Sequence, residues 1–401
     1  FHHLIYYFFL SYEYYISLNG PIIFIRGKSI MNNKALLPLL LFTIISCSES
    51  FNIDISFKDS ESDSINPGID NAFASTYAPM NSEPILFKSA NIYDGLGQEF
   101  LNYDLLLSEG KIIEIGESIT APGVLMIDAT NKWITPGIID IHSHMGVYSA
   151  PGVSTSSDGN EATSPVTAEV WAEHSLWTQD PQFALALKGG VTAFHVLPGS
   201  ANLFGGRGAT FKNVSQNTIQ AMKFPGAPHS LKMACGENPK RVYGNRRQAP
   251  STRMGNMAGY RSAWIDAVEY TDGMNEEDSN QRPTRDLAMD TLMGVLNGEI
   301  LIQNHCYRAE EMAMMIELSK EFNYKITAFH HAVEAYKIAD LLADEGICAA
   351  LWADWWGFKH EAYDMVQANI AIIDQARNGT GCAIAVSYTH LRAHETEADL
   401  V

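Results

Sequence analysis

The sequence predicts an α/β protein in which a (β/α)8 barrel of the TIM type follows a small β module. After Gly137, apolar strand-like runs alternate with helical patterns, which is typical of parallel strands joined by crossover helices. The runs are apolar throughout, as in strands covered on both faces. Residues 137–387 also have the length of such a barrel, about 250 residues. The rival is a doubly wound sheet, which the lack of a G-x-G-x-x-G after the first strand weakens.

Residues 1–83 are expected to precede the folded part. Residues 1–30 begin with Phe1, and because Met31 is the natural start we interpret them as upstream translation, the alternative being a membrane-seeking segment. Residues 31–47, "MNNKALLPLLLFTIISC", have the pattern of a signal peptide. Their end resembles the lipobox of bacterial lipoproteins, which predicts lipidation at Cys47; a plain secretory signal or a membrane helix is the alternative. Residues 48–83 are polar and read as a tether.

The following elements are predicted in chain order. Residues 84–136 contain short alternating runs punctuated by Gly and Asn, which indicate a β module. Strands are then predicted at "GIIDIHSH", "ILIQNHCY", "YKITAFHHAV", "ICAALWADWWG" and "CAIAVS". Helices are predicted at "RAEEMAMMIELSKEF", "EAYKIADLLADEG" and "HEAYDMVQANIAIIDQARNGTG".

Charge and cysteine content limit the partners. The net charge of -19 makes nucleic acid a poor partner, because phosphate binding needs a basic face. No pair of cysteines has C-x-x-C spacing. Apart from Cys47, the cysteines lie singly in apolar surroundings, so we expect buried thiols rather than disulfides or a zinc knuckle. They are Cys235, Cys306, Cys348 and Cys382.

Histidines close several of the predicted strands. His142 and His144 end the first one, and both side chains point to the same side because strand side chains repeat with a period of two. His305 ends a later strand, and His330 and His331 end the next. The carboxyl ends of barrel strands open onto one face, so these imidazoles are expected to converge into a metal site. A single H-x-H would be weak support, and Asp140 is a candidate to brace a ligand.

Several segments resemble the amidohydrolase superfamily. "TPGIIDIHSH" resembles the signature on its first barrel strand, which a β-sandwich precedes, and "KGGVTAFHVLPG" resembles its second strand. "HHAVEAYKIADLLADEGI" resembles a segment of the imidazolonepropionase-like and prolidase-like members. The resemblance covers roughly residues 84–387. It extends to exported bacterial amidohydrolases, which share stretches such as "MKFPGAP" and "MACGENPKRVYG". It implies a metal-dependent hydrolase of carbon–nitrogen bonds.

The resemblance also implies a role for each matching residue. His142, His144, His305 and His331 would bind one or two Zn²⁺ ions, with His330 as the alternative to His331. Zn²⁺ would lower the pKa of a water molecule to about 7 and polarise the substrate carbonyl. Lys232, in "HSLKMACGEN", matches a lysine that some members carboxylate to bridge two metals. A snorkelling surface lysine is the alternative for Lys232, and Glu237 is the alternative bridging carboxylate.

The C-terminal segment departs from the family pattern. After "CAIAVS" the family has an aspartate that acts as last ligand and proton shuttle, and this chain has Tyr388. Residues 388–401 resemble a translated sequencing adapter; a true C-terminal helix is the alternative. We therefore expect strand eight to be incomplete, the C-terminal part of the β-sandwich to be missing, and this chain itself to be inactive.

A basic stretch suggests the substrate. "PKRVYGNRRQAPSTR" at 239–253 contains five cations and no acid, and it follows the Lys232 strand as a predicted loop. We expect Arg241, or Arg207 in "FGGRGATFK", to bind a substrate carboxylate, such as that of an N-acyl amino acid or small peptide. A solvated loop is the alternative. Trp355 or Trp356 is expected to wall the pocket, or simply to pack.

Two functions remain open at this point. The first is an exported C–N hydrolase in the periplasm of a bacterial cell envelope, which acts on a small-molecule substrate. Its only contact with the membrane would be the N-terminal lipid anchor. The second is a noncatalytic surface lipoprotein that uses the barrel to bind a ligand. A serine hydrolase is disfavoured because no G-x-S-x-G is present. The sequence does not give the oligomeric state.

Overall fold

The computed structural model describes residues 73–353 and 355–386. The predicted signal peptide with Cys47, residues 48–72 of the predicted tether, and the segment with Tyr388 lie outside these residues. No helix in the described part of the chain is long and apolar enough to cross a membrane.

The β module is a five-stranded sheet. Strands β1 and β2 pair antiparallel, β3 pairs antiparallel with β2, and β4 and β5 pair parallel with β1. Its small core contains Ala90, Ile92 and Leu105. The strands are β1 (Ile85–Tyr93), β2 (Glu99–Ser108), β3 (Lys111–Gly116), β4 (Leu125–Asp128) and β5 (Trp133–Ile134).

The second sheet confirms the predicted α/β barrel architecture. Its eight strands follow one another in chain order across the sheet, from β6 at one edge to β13 at the other. The strands are β6 (Ile138–Ser143), β7 (Val191–Val196), β8 (Phe204–Lys212), β9 (Ser230–Ala234), β10 (Leu301–Cys306), β11 (Ile326–His331), β12 (Cys348–Leu351) and β13 (Ala383–Ala385).

One strand breaks the expected parallel pattern. Strand β8 runs antiparallel to both β7 and β9. The connection from β7 to β8 covers only residues 197–203. A parallel crossover needs a dozen or more residues, so a connection this short favours an antiparallel turn.

Helices cover the outer face of the large sheet. The main core lies between sheet and helices and contains Leu231, Trp264, Ile302, Ile316 and Phe329. The helices are α1 (Pro181–Lys188), α2 (Ile219–Met222), α3 (Glu237–Asn245), α4 (Arg253–Met274), α5 (Leu287–Leu296), α6 (Ala309–Glu321), α7 (Ala339–Glu345) and α8 (Asn369–Gly379).

One helix prediction and one loop prediction need correction. The helix predicted from His360 begins as an isolated 3-10 turn, and α8 starts only at Asn369. The basic stretch at 239–253 is not wholly a loop, because most of its first half belongs to α3. By contrast, α7 ends as predicted at a glycine, Gly346, which has a left-handed φ of 66°.

The expectation of buried free thiols was wrong. Cys235 is disulfide-bonded to Cys306, and Cys348 to Cys382. The first pair arises from strand register, because His305 lies opposite Ala234 in the β9–β10 pair and each cysteine is the next residue. The partners are 71 and 34 residues apart in sequence, so spacing alone did not reveal the pairs.

Candidate metal centre

The histidines predicted from the strand ends lie together. The ring centroid of His142 is 5.1 Å from that of His144 and 4.9 Å from that of His331. His305 and His331 are 4.5 Å apart by the same measure. His330 also belongs to this group, at 4.8 Å from His142. Five buried imidazoles thus lie at one end of the sheet, where strands β6, β10 and β11 end.

Hydrogen bonds define the proton positions of two of these rings. His330 Nε2 lies 2.6 Å from Gln303 Oε1, which can only accept, so Nε2 carries the proton. His330 Nδ1 then holds a lone pair and accepts from His142 Nδ1 at 2.8 Å. The lone pair of His142 is therefore on Nε2. Both ring nitrogens of His330 have protein partners, whereas this arrangement makes His142 a donor of an Nε2 lone pair to a cation.

The neighbouring histidine is oriented in a similar way. His144 Nδ1 donates to the carbonyl oxygen of Leu197 at 2.8 Å, which leaves its lone pair on Nε2. A carbonyl that fixes the tautomer of a metal-ligating histidine is the usual supporting contact. Asp140, the candidate brace, accepts a hydrogen bond from the backbone N–H of His142 at 3.2 Å.

His305 supplies the test of whether a metal fits. Its Nδ1 is buried and has no hydrogen-bond partner among the residues that the structure describes. An orphaned imidazole nitrogen beside other imidazole lone pairs matches the donor set that Zn²⁺ takes. Within residues 73–353 and 355–386, however, no three His, Cys, Asp or Glu side chains are already placed to hold a metal ion. The imidazole donors are therefore chemically suited to Zn²⁺, but the described rings are not arranged as a closed coordination shell.

Lys232 lies inside the structure and is not a snorkelling surface residue. Its side chain on β9 is only 1% exposed, and in register it faces Gln303 of β10 and Gly206 of β8. Burial, and after it the charge of Lys232, holds the pKa of His142 and of His330 well below the usual value. The imidazoles are therefore neutral at pH 7, which is the form that binds metals.

The structure does not bring Arg207 to this centre. Arg207 pairs in register with Leu231, whose side chain belongs to the core under the helices. Its Nε donates to Thr291 Oγ1 at 2.7 Å, and its guanidinium carbon lies 4.5 Å from the centroid of a Trp171 ring. Burial lowers the pKa of Arg207 to about 10. These contacts give it a structural position on the outer face of the sheet.

Arg241 and Glu237 lie on α3, which follows the Lys232 strand. Asn238, three residues before Arg241 and so on the same side of the helix, reaches the centre, where its Nδ2 lies 3.4 Å from His305 Nε2. Glu237 Oε1 lies 3.9 Å from Lys359 Nζ, and the Glu237 side chain is partly exposed. Arg241 therefore lies on the same side of α3 as Asn238, the residue that reaches the centre.

Aromatic side chains wall the centre on one side. The His331 ring stacks on Tyr307 at 5.0 Å and on Trp352 at 4.6 Å. The ring centroids of Trp355 and His331 lie 4.7 Å apart, so Trp355 is the one of the two candidate tryptophans that packs against the centre. Trp356 instead is 63% exposed. The sequence interpretation missed Tyr307, which follows the His305 strand by one residue, and Trp352, which follows β12.

Comparisons with known proteins agree with this architecture. No family model matches the sequence. An amidohydrolase from Thermotoga maritima has a crystal structure similar to this one, with 33% identity and a TM-score of 0.69, covering 79% of this chain and 85% of that one. The amidohydrolase tasK of Hapsidospora irregularis is 32% identical over 296 residues, which are 67% of this chain and 30% of that protein. A dihydroorotase of Bacillus thuringiensis is 38% identical over 60 residues, 15% of this chain and 14% of its own. The chain thus spans less than a third of the length of the curated tasK relative.

Proposed function

Because the chain belongs to the amidohydrolase superfamily, we propose that the protein is a metal-dependent hydrolase of carbon–nitrogen bonds in amides, cyclic amides or peptide-like substrates. The observation that carries the proposal is the convergence of buried, neutral imidazoles at the ends of β6, β10 and β11. Such a group supports metal binding at this end of the sheet, where barrel enzymes have their active sites.

The residues that would hold the metal are His142, His144, His305 and His331. A divalent metal ion, with Zn²⁺ the ion that this donor set favours, polarises a carbonyl and lowers the pKa of water to about 7. Asp140 and the carbonyl of Leu197 would keep the first two histidines in place. A buried Lys232 supports the proposal that it is carboxylated and bridges a second metal ion.

The substrate would be a small molecule that bears a carboxylate. Arg241, on the helix that carries Asn238, would attract that carboxylate through its guanidinium. Trp355 and Trp352 would exclude water from the face of the substrate that lies over His331. In the site, these side chains bind and orient the substrate while the histidines remain buried beneath it.

We also propose that the protein is exported to the bacterial cell envelope and held there by a lipid on Cys47. The two disulfides support this proposal, because disulfides persist in oxidising compartments such as the periplasm and are rare in the cytosol. Blocking lipidation with Cys47→Ser should release the protein from the membrane fraction of the producing cells.

Metal content and turnover test the proposed function. We expect purified full-length protein to contain roughly one or two zinc ions per chain and to hydrolyse members of a panel of N-acyl amino acids, dipeptides and cyclic amides. Removal of the metal with a chelator should abolish turnover, and added Zn²⁺ should restore it. Protein without metal and without turnover would favour the alternative, a noncatalytic lipoprotein that binds a ligand.

A further inference from the structure

A buried lysine lies beside the candidate metal centre, and the centre as described above makes no use of it. Lys359 follows β12 in the loop that also carries Trp355 and Phe358. Its side chain is only 9% exposed. Its Nζ lies 4.0 Å from the centroid of the Tyr307 ring, a cation–π contact, and donates to Asn238 Oδ1 at 3.2 Å.

Both contacts lead directly to predicted metal ligands. Asn238 Nδ2 lies 3.4 Å from His305 Nε2. The Tyr307 ring stacks on the His331 ring at 5.0 Å, with an interplanar angle of 6°. The ammonium of Lys359 is therefore only one side chain away from His305 along one path and from His331 along the other.

The known contacts do not use all the donors of this ammonium. A lysine ammonium has three N–H donors and no acceptor. Among the residues that the structure describes, Lys359 makes one hydrogen bond, to Asn238. Within residues 73–353 and 355–386, the nearest carboxylate oxygen is Glu237 Oε1 at 3.9 Å, which is beyond hydrogen-bond distance. A buried ammonium with donors left over and no carboxylate within hydrogen-bond distance among the described residues is suited to binding an anionic ligand.

We propose, on the basis of the hydrolase function proposed above, that Lys359 binds a substrate carboxylate located next to the scissile carbon–nitrogen bond. The substrates of this class are N-acyl amino acids and peptides whose last amide bond adjoins the free carboxylate. Only one side chain separates the ammonium from His305, so the carboxylate and the reacting amide must be close together in the substrate. The rings of Trp355 and Phe358, which pack on each other at 4.8 Å, favour an apolar or aromatic side chain.

A pair of probes that differ only in charge tests the proposal. We would measure binding of N-acetyl-L-phenylalanine and of N-acetyl-L-phenylalaninamide to metal-free full-length protein by calorimetry. The wild-type protein should bind the acid at least about tenfold more tightly than the amide, because a charge-assisted hydrogen bond to a buried cation is lost with the amide. Lys359→Met should weaken this preference without removing it, because Arg241 would still attract the carboxylate, and Lys359→Arg should keep more of it than Lys359→Met does.

The controls separate a binding role from a structural one. Lys320→Met removes a surface cation that pairs with Glu317 and Glu345, and it should leave the ratio of acid to amide affinity unchanged. If Lys359→Met does not fold, Lys359→Gln gives the same comparison, since its amide can still donate to Asn238. No preference in the wild-type protein, or an unchanged preference in a folded Lys359 variant, overturns the proposal. A wild-type protein that prefers the acid but hydrolyses no substrate would contradict the hydrolase function and leave the carboxylate site in place.

Discussion

His142 Nδ1 and His330 Nδ1 lie 2.8 Å apart, and this contact distinguishes the surroundings of the His330 ring from those of the His331 ring. Because Gln303 fixes the proton of His330 on Nε2, the two nitrogens of His330 are both engaged with protein groups. His331 has no such arrangement with Gln303, and its ring faces His305 instead. These contacts support the proposal that His331 is the ligand and that His330 orients His142.

This difference predicts two distinct losses of metal. His330→Ala should weaken zinc affinity by about 10–100-fold, as expected when a group that orients a ligand is removed. His331→Ala should cost more, because a ligand itself is lost, and the purified protein should contain substoichiometric zinc. Competition against a chromogenic chelator measures both affinities. Equal losses in the two variants, or a larger loss for His330→Ala, would reverse the assignment.

A buried ionic cluster predicts how stability depends on pH. Glu361 accepts a hydrogen bond from Arg253, which also donates to Glu311 at 2.7 Å, so two buried carboxylates share one guanidinium. Burial raises the pKa of Glu361 to about 7; the charges of Glu311 and Glu237 act in the same direction, and those of Lys359 and Arg253 oppose it. The folded state thus holds a proton that the unfolded chain has already released.

The sign of the pH effect follows from this pKa. Folding keeps Glu361 protonated between pH 4.5 and about 7, so the unfolding free energy should fall as pH rises through this window. The fall attributable to Glu361 should be at most roughly 3 kcal/mol. Denaturant unfolding at several pH values would measure it, and Glu361→Gln should flatten the slope. Glu321→Gln removes an exposed partner of Arg261 and is the matched control; it should leave the slope unchanged. A wild-type slope that Glu361→Gln leaves intact would contradict the prediction.

The disulfides predict a measurable contribution to stability. Replacing both Cys348 and Cys382 by Ala should lower the unfolding free energy by about 3–4 kcal/mol, as expected for a cross-link that closes a loop of this length. Denaturant unfolding of the oxidised wild-type protein and of the double variant provides the comparison. In the oxidised protein, these cysteines and the Cys235–Cys306 pair should resist alkylation until a reductant is added. Rapid alkylation without reductant would show that the bonds are absent.

The sequence predicted the part of the site that depends on regular periodicity. His142 and His144 follow from the period of two in a strand, and His305 and His331 follow from the rule that parallel strands end on one face. The buried position of Lys232 was open in the sequence because an apolar strand also fits a snorkelling lysine. Register and strand direction were needed to decide such cases.

The missed features all depend on contacts between distant segments. Cys235 and Cys306 become neighbours only through the β9–β10 register. Lys359, in the loop after β12, contacts Asn238 at the start of α3, and no spacing in the sequence predicts this contact. Arg207, which the sequence offers as the alternative to Arg241, lies beside Leu231 because β8 pairs antiparallel with β9, and the sequence does not reveal that strand direction.

The two candidate arginines therefore form a matched pair for the last prediction. Arg241 lies on α3 with Asn238, which reaches His305, so Arg241→Ala should raise KM for carboxylate-bearing substrates by about 10–100-fold, the effect of losing a charged hydrogen bond. Steady-state kinetics on an acid and on its neutral amide would measure the effect, which should be confined to the acid.

Arg207→Ala should behave in the opposite way. It removes the hydrogen bond to Thr291 and the contact with Trp171, both on the outer face of the sheet, so it should lower the unfolding free energy by about 1–3 kcal/mol. The ratio of KM values for acid and amide should stay at the wild-type value, because the guanidinium does not face the histidines. If Arg207→Ala changed this ratio and Arg241→Ala did not, the carboxylate would bind on the other side of β8, and the position inferred for the substrate would have to be abandoned.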